Sequence, residues 1–251
     1  MKGKNGSVIR GVLVFLLIVL TEDLLLAGPP FFTDDPDPVP FRHWEYYLSS
    51  ENTFDLRDQS ATGTLPHFEV NWGVVKNLQL HLVVPSTYLF NAPSDLFYGY
   101  TFTEFGTKYR FVKDTGMIPE IGIFPIVEIP TIHDSRFGKQ YVQVYLPIWI
   151  QKSWNKLTTY GGAGYWINPG SGNQNWIFTG WEVQYDFTEF ITLGTEAYFH
   201  TTSSTGGKAI SGLTIGGFLN FSKSIHFIFS VGHTLTGANQ ITSYAGLYIT
   251  I

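Results

Sequence analysis

Hydrolytic or metal chemistry would have to begin at histidine, hydroxyl and carboxylate side chains, and this chain arranges few of them for it. Gly232-His233-Thr234 and His200-Thr201-Thr202-Ser203 are the nearest pairings of an imidazole with a hydroxyl. Neither has the spacing of a nucleophile beside its base, and no G-x-S-x-G elbow occurs. His67, His81 and His226 fall on separate segments, so nothing local groups them as metal ligands. Thr33 to Pro40 interleaves Asp34, Asp35 and Asp37 with Pro36, Pro38 and Pro40, but it lacks the Gly turn and distal Glu of a calcium loop. With no cysteine, thiolate metal sites, cysteine hydrolases and disulfide scaffolds are excluded. The expectation is a protein that is not an enzyme and has no catalytic residues, metal or cofactor.

A different chemistry is carried by polar groups that recur every second residue between apolar ones. Glu45, Glu69, His81, Glu104, Lys108, Arg110, Glu128, Gln143, Tyr145, Glu182, Gln184 and Glu196 all fall on the register opposite the apolar residues. Two-residue spacing puts a set of side chains on one face of a strand. Lys108 and Arg110 therefore point the same way, and each could bridge carboxylates on neighbouring strands, Arg with its bidentate fork. Such a face can select solutes by charge or brace the interior with ion pairs.

The elements that must position these groups count in twos almost throughout. Trp44, Tyr46, Leu48; Phe68, Val70, Trp72, Val74; Leu78, Leu80, Leu82, Val84; Phe105, Tyr109, Phe111; and Val142, Val144, Leu146, Ile148, Ile150 are apolar at alternate positions. Continued along the chain, the pattern gives twelve strands and no convincing helix. Short turns at Lys76-Asn77, Lys113 to Gly116, Lys152 to Lys156, Asp186 to Glu189 and Ser222 to Ser224 alternate with longer loops. The long loops are expected at Asp55 to Leu65, Asn91 to Tyr100, Pro130 to Lys139, Asn168 to Gln174, Thr201 to Lys208 and Thr236 to Gln240.

An even-stranded meander with turns at one end and loops at the other has the form of an outer-membrane barrel. Composition agrees, because only 14% of the chain is charged while 17% is aromatic. A soluble sheet would place many Lys and Glu on its second face; here that face offers Gly, Ser, Thr, Gln, Tyr and Trp with scattered single charges, as an enclosed polar lumen requires. Only closure leaves no backbone donor unpaired in lipid. The fold class expected is all-β, a single twelve-stranded antiparallel transmembrane β-barrel. Inward Tyr47, Trp149, Trp176, Phe178 and Tyr198, with Tyr145, would narrow its lumen.

Ahead of the barrel, Lys2, Lys4 and Arg10 precede an apolar run from Gly11 to Leu20, which reads as an export signal. The domain boundaries expected are a signal peptide over 1–27, a Pro-rich acidic periplasmic segment over 28–42 that tucks into the barrel mouth, and the barrel over 43–251. The formal charge of −5, with no basic block, excludes a nucleic-acid partner.

Particular runs also resemble a known family. Phe32 to Pro40 followed by Arg42-His43-Trp44-Glu45, Pro66 to Asn71, Gly106 to Phe111, Gly122 to Pro125, and Tyr160 to Gly170 are similar to the outer-membrane transporter family labelled after the meta-cleavage pathway of phenol degradation. The matches cover nearly the whole chain after the leader. One departure is the final run Tyr248-Ile249-Thr250-Ile251, since many barrels end in an aromatic residue. The resemblance implies a bacterial outer-membrane barrel that passes small solutes, aromatic or apolar ones among them; the strand count and inward rings imply a constricted lumen, lined by the twelve residues named above. Its expected partners are the outer-membrane lipid bilayer, the barrel-assembly machinery and the solute, with both termini periplasmic. The rival readings are a closed structural or adhesion barrel with functional surface loops, and a lipid-modifying outer-membrane enzyme.

Overall fold

The computed structural model describes residues 29–91, 95–131, 137 and 141–251, so the expected leader and most of the expected loop Pro130 to Lys139 lie outside the described residues. The chain forms β1 (Trp44–Asp55), β2 (Ser60–Val75), β3 (Leu78–Asn91), β4 (Asp95–Tyr100), β5 (Phe102–Val112), β6 (Glu120–Ile123), β7 (Ile126–Pro130), β8 (Gln143–Trp154), β9 (Leu157–Ile167), β10 (Trp176–Asp186), β11 (Ile191–His200), β12 (Ile210–Asn220), β13 (Ile225–Thr236) and β14 (Gln240–Thr250). All pairings are antiparallel, and β14 returns to β1 over Glu45↔Thr250 to Asp55↔Gln240, which closes the sheet. β4 and β5 both pair with β3, and β6 and β7 both lie between β5 and β8, so each couple acts as one wall strand. The result is a twelve-stranded barrel.

The two interruptions fall at opposite ends of the β5–β7 pairing. Thr101 separates β4 from β5, and Phe124-Pro125 separates β6 from β7. Pro125 has no N–H to give the ladder, yet its carbonyl still accepts from Thr107 N at 3.0 Å. At the short-turn end, the two-residue hairpins Lys76-Asn77 and Asn155-Lys156 each use an asparagine at positive φ, 67° at Asn77 and 59° at Asn155. Asparagine tolerates that region by bonding locally.

Leu48, Phe68, Leu80, Phe105, Leu146, Ile148, Trp181, Leu213, Ile215 and Val231 all point outward. The interior holds Glu69, His81, Lys108, Gln151, Glu182 and Glu196 instead. This inverted distribution suits hydrocarbon outside and polar contacts inside. Buried apolar side chains of the interior cluster in two patches: Phe124, Ile126, Tyr145, Trp149, Phe178 and Tyr198 on one wall, and Tyr47, Phe218, Ile228, Tyr244 and Tyr248 on the other.

The long-loop end differs from the sequence expectation in two places. Asp55 to Leu65 is mostly strand, with β2 beginning at Ser60, and Asn91 to Tyr100 contains β4. Ser60-Ala61-Thr62-Gly63-Thr64 reads as polar linker, but threonine favours the extended chain; paired with β1 and β3, it lengthens the wall. Two turns at the other end shift as well: 113–119 connects β5 to β6, and β8 runs on to Trp154.

Candidate functional site

All twelve residues expected on the polar face do point into the barrel, but the lumen they line is not empty. Residues 29–40 form an extended strap that enters at the short-turn end and runs along the inner wall, held without any strand pairing of its own. At its exit Arg42 N donates to Gly73 O at 2.7 Å and His43 N to Pro40 O at 3.0 Å. The crossing is so close that a Cβ on Gly73 would sit 2.0 Å from the Pro40 carbonyl oxygen. One step inward, Val39 N donates to Gln79 Oε1 at 2.9 Å.

The acidic part of the strap meets the basic pair. Arg110 binds both Asp37 of the strap and Glu120 of β6, and its Nη2 donates to Asn77 Oδ1 at 3.1 Å. Lys108 Nζ donates to Asp34 Oδ1 at 2.9 Å and Asp35 Oδ2 at 3.2 Å, and lies 5.1 Å from the centre of the Phe124 ring. Burial pushes the Asp35 and Asp37 carboxyls up from the ordinary carboxylate range, with Lys108 and Arg110 pulling the other way. Four carboxyl groups share two cations here, so burial prevails. The sequence reading sought partners for Lys108 and Arg110 on neighbouring strands. Glu120 fits it, but the other partners come from the strap, because a period-two pattern describes the wall and cannot show a segment lying across it.

Deeper in, the strap turns to the β10–β13 wall. The Glu196 carboxylate accepts from Thr33 N and from Phe32 N, the latter at 3.3 Å. Phe32 packs against Tyr198 with ring centroids 4.8 Å apart, and Ser230 Oγ donates to Pro30 O at 2.7 Å. Beyond this point a cavity of about 210 Å³ opens between Pro29 to Phe32 and a wall that includes Glu51, Thr62, Thr64 and Thr242.

The remaining expected residues fall into separate groups. His81 sits between Asn71 Oδ1 at 2.7 Å and Glu104 Oε1 at 2.8 Å, while Asn71 Nδ2 donates to Glu69 Oε1 at 2.7 Å. Glu45 accepts from Tyr248 OH at 2.8 Å and Tyr47 OH at 3.2 Å. Glu128 is buried and stands opposite Glu104 in the β5–β7 ladder. Glu182 is fully buried opposite Glu196, and neither of its carboxylate oxygens has a hydrogen-bond partner among the described residues. Gln184 is buried one inward position further along β10. Gln143 lies apart from these, at the long-loop end, donating to Asn168 Oδ1 at 2.8 Å.

Tyr145 opens a row of stacked rings across three strands: Tyr145 on Trp166 at 4.6 Å and 14°, then Trp166 on Trp176 at 5.3 Å and 11°. Glycine makes room for it, since a Cβ on Gly164 would lie 2.2 Å from the Tyr145 ring. Sequence reasoning found Tyr145 and Trp176 but missed Trp166, and it missed Asn71, Gln79, Glu120 and Gln151 on the same inward register. Alternation alone would have included them.

No protein-family model and no curated protein matches the chain. Solved structures do. An outer membrane channel from Pseudomonas putida F1 aligns with TM-score 0.66 at 11% identity, covering 86% of this chain and 98% of that one. A KdgM porin, described in complex with disordered oligogalacturonate, aligns with TM-score 0.53 at 10% identity over 82% of this chain and 98% of its own. The translocator domain of the autotransporter NalP from Neisseria meningitidis gives TM-score 0.52 at 10% identity over 82% of this chain and 87% of its own. At such identities the likeness is one of fold, and the fold is that of outer-membrane β-barrels.

Proposed function

We propose that the chain is a channel of the bacterial outer membrane that admits small solutes passively through a constricted lumen. The observation that carries this reading is a closed barrel, apolar outside and polar inside, whose lumen holds a strap that has no strand pairing of its own. The solute path runs along Glu45, Glu69, His81, Glu104, Lys108, Arg110, Glu128, Gln143, Tyr145, Glu182, Gln184 and Glu196. Fold-level likeness to an outer membrane channel and a porin supports the reading by analogy.

Aromatic or apolar solutes suit a lumen wall that carries the Tyr145–Trp166–Trp176 row of rings. The resemblance to the phenol meta-pathway family points the same way. In this reading residues 1–27 direct export and are removed, the assembly machinery inserts the barrel, and both termini lie on the periplasmic side with the short turns.

The test is purified, heat-modifiable protein in planar bilayers and in solute-loaded liposomes. Stepwise current with uptake of a small aromatic solute is expected. Neither current nor uptake would leave the closed-barrel reading standing.

A further inference from the structure

We propose that the strap is the charge filter of the pore: by neutralising Lys108 and Arg110 it leaves an acid-lined passage that favours cations, and its release uncovers a basic pair that admits anions. The inference rests on the channel reading.

Its basis is where the basic groups are. Among the described residues, Lys108 and Arg110 are the Lys and Arg side chains that point into the lumen along the strands, and both are committed to the strap. Lys108 is 5% exposed and faces two strap carboxyls; Arg110 is shared between Asp37 and Glu120. The strap over 29–40 brings three Asp and no basic residue. Glu120 of the wall shares Arg110 with the strap, while Glu45, Glu104 and Glu51 are held otherwise. Glu45 is held by two tyrosine hydroxyls, Glu104 by His81, and Glu51 lines the cavity with its side chain 49% exposed. With the strap in place, a mobile ion therefore meets acidic side chains whose nearby bases are histidines, His81 at Glu69 and Glu104 and His67 at Glu51, and no free Lys or Arg along the strands among the described residues. Rings of acidic side chains select cations and basic ones anions, and the low-dielectric walls of a narrow lumen concentrate that field.

Releasing the strap changes both sides of the balance. Three carboxyls leave, and two fixed cations, two residues apart on one strand, lose their strap partners, Arg110 keeping Glu120 alone against its charge. Carboxylate solutes would then find a lysine and a forked guanidinium side by side.

Reversal potentials in bilayers under a potassium chloride gradient read this directly. Wild type is expected to prefer potassium. The triple variant D34N/D35N/D37N should shift its reversal potential toward that of chloride, and D34N alone, at the more exposed of the two carboxyls on Lys108, should shift it less in the same direction. Adding K108Q/R110Q to the triple variant should return the potential part of the way, an effect that loosened packing would not produce. Each variant is first checked for heat-modifiable gel mobility, and D34N serves if the triple variant fails to fold. Current with an unmoved reversal potential, or a chloride-preferring wild type, overturns the charge filter alone. A folded wild type without any current overturns it together with the channel reading.

Discussion

A lysine 5% exposed in a barrel wall stays charged only while carboxylates face it, and both that face Lys108 are supplied by the strap. Lys108→Met would leave Asp34 and Asp35 without their cation. While the strap stays docked, that loss is expected to cost about 3–5 kcal/mol, seen as a lower temperature for the loss of heat-modifiable mobility; if the strap leaves, it appears as extra current. K108M combined with D34N/D35N should recover much of the stability, since the uncompensated charges go with the lysine. Glu182 presents the opposite case, a fully buried carboxyl with no partner among the described residues. An unmade hydrogen bond at a buried polar group costs about 1–3 kcal/mol, so Glu182→Met, of similar length, is expected to raise the same midpoint. A fall would mean that Glu182 has a partner that matters.

The strap as an element is held by a few side-chain bonds and by its fit over glycine, and both can be disturbed. Gly73→Ala would put a methyl group 2.0 Å from the Pro40 carbonyl, against backbone that cannot rotate away. The strap should loosen and the unitary conductance rise, with barrel mobility on gels unchanged. Docking should also respond to pH. Because burial raises the Asp35 and Asp37 carboxyls, docking takes up protons. The docked strap is therefore favoured as pH falls toward the ordinary carboxylate range, and it weakens as pH rises through the raised values. Macroscopic current should increase with pH in wild type and respond less in D35N, whose amide cannot titrate. The wall strands themselves were legible because the pleat enforces a period of two on any sheet with unlike faces. What was not legible was where they end. Thr62, Thr64, Tyr98 and Tyr100 extend the wall past the apolar band, and their residue types occur as readily in loops as in strands that leave the lipid.

For the molecule as a whole, the direction of the polar face was legible and its partner was not. Glu69, Lys108 and Glu196 each declare an inward position by alternating with apolar residues, but Asp34, Asp35 and Asp37 sit in a proline-broken run with no period to read. That Thr33 would meet Glu196, 163 positions along the chain, could be known only once the barrel had closed. The same separation makes the strap dispensable to the barrel. Closure depends on the β1–β14 ladder, to which residues 29–40 contribute no pairing, and the lipid-facing band contains none of them. Deleting residues 31–40 should thus yield a barrel that still shifts on gels and keeps its β-sheet circular dichroism. Lys108 and Arg110, no longer covered, would face water instead of lying unpaired in a dry interior, so they should not destabilise it. Twelve strands enclose more than the side chains of eight can fill, and the deleted form is expected to conduct several-fold more than wild type. Loss of the folded band would instead make the strap part of the barrel's core, and the lumen would then have to be regarded as packed, like the interior of an eight-stranded barrel.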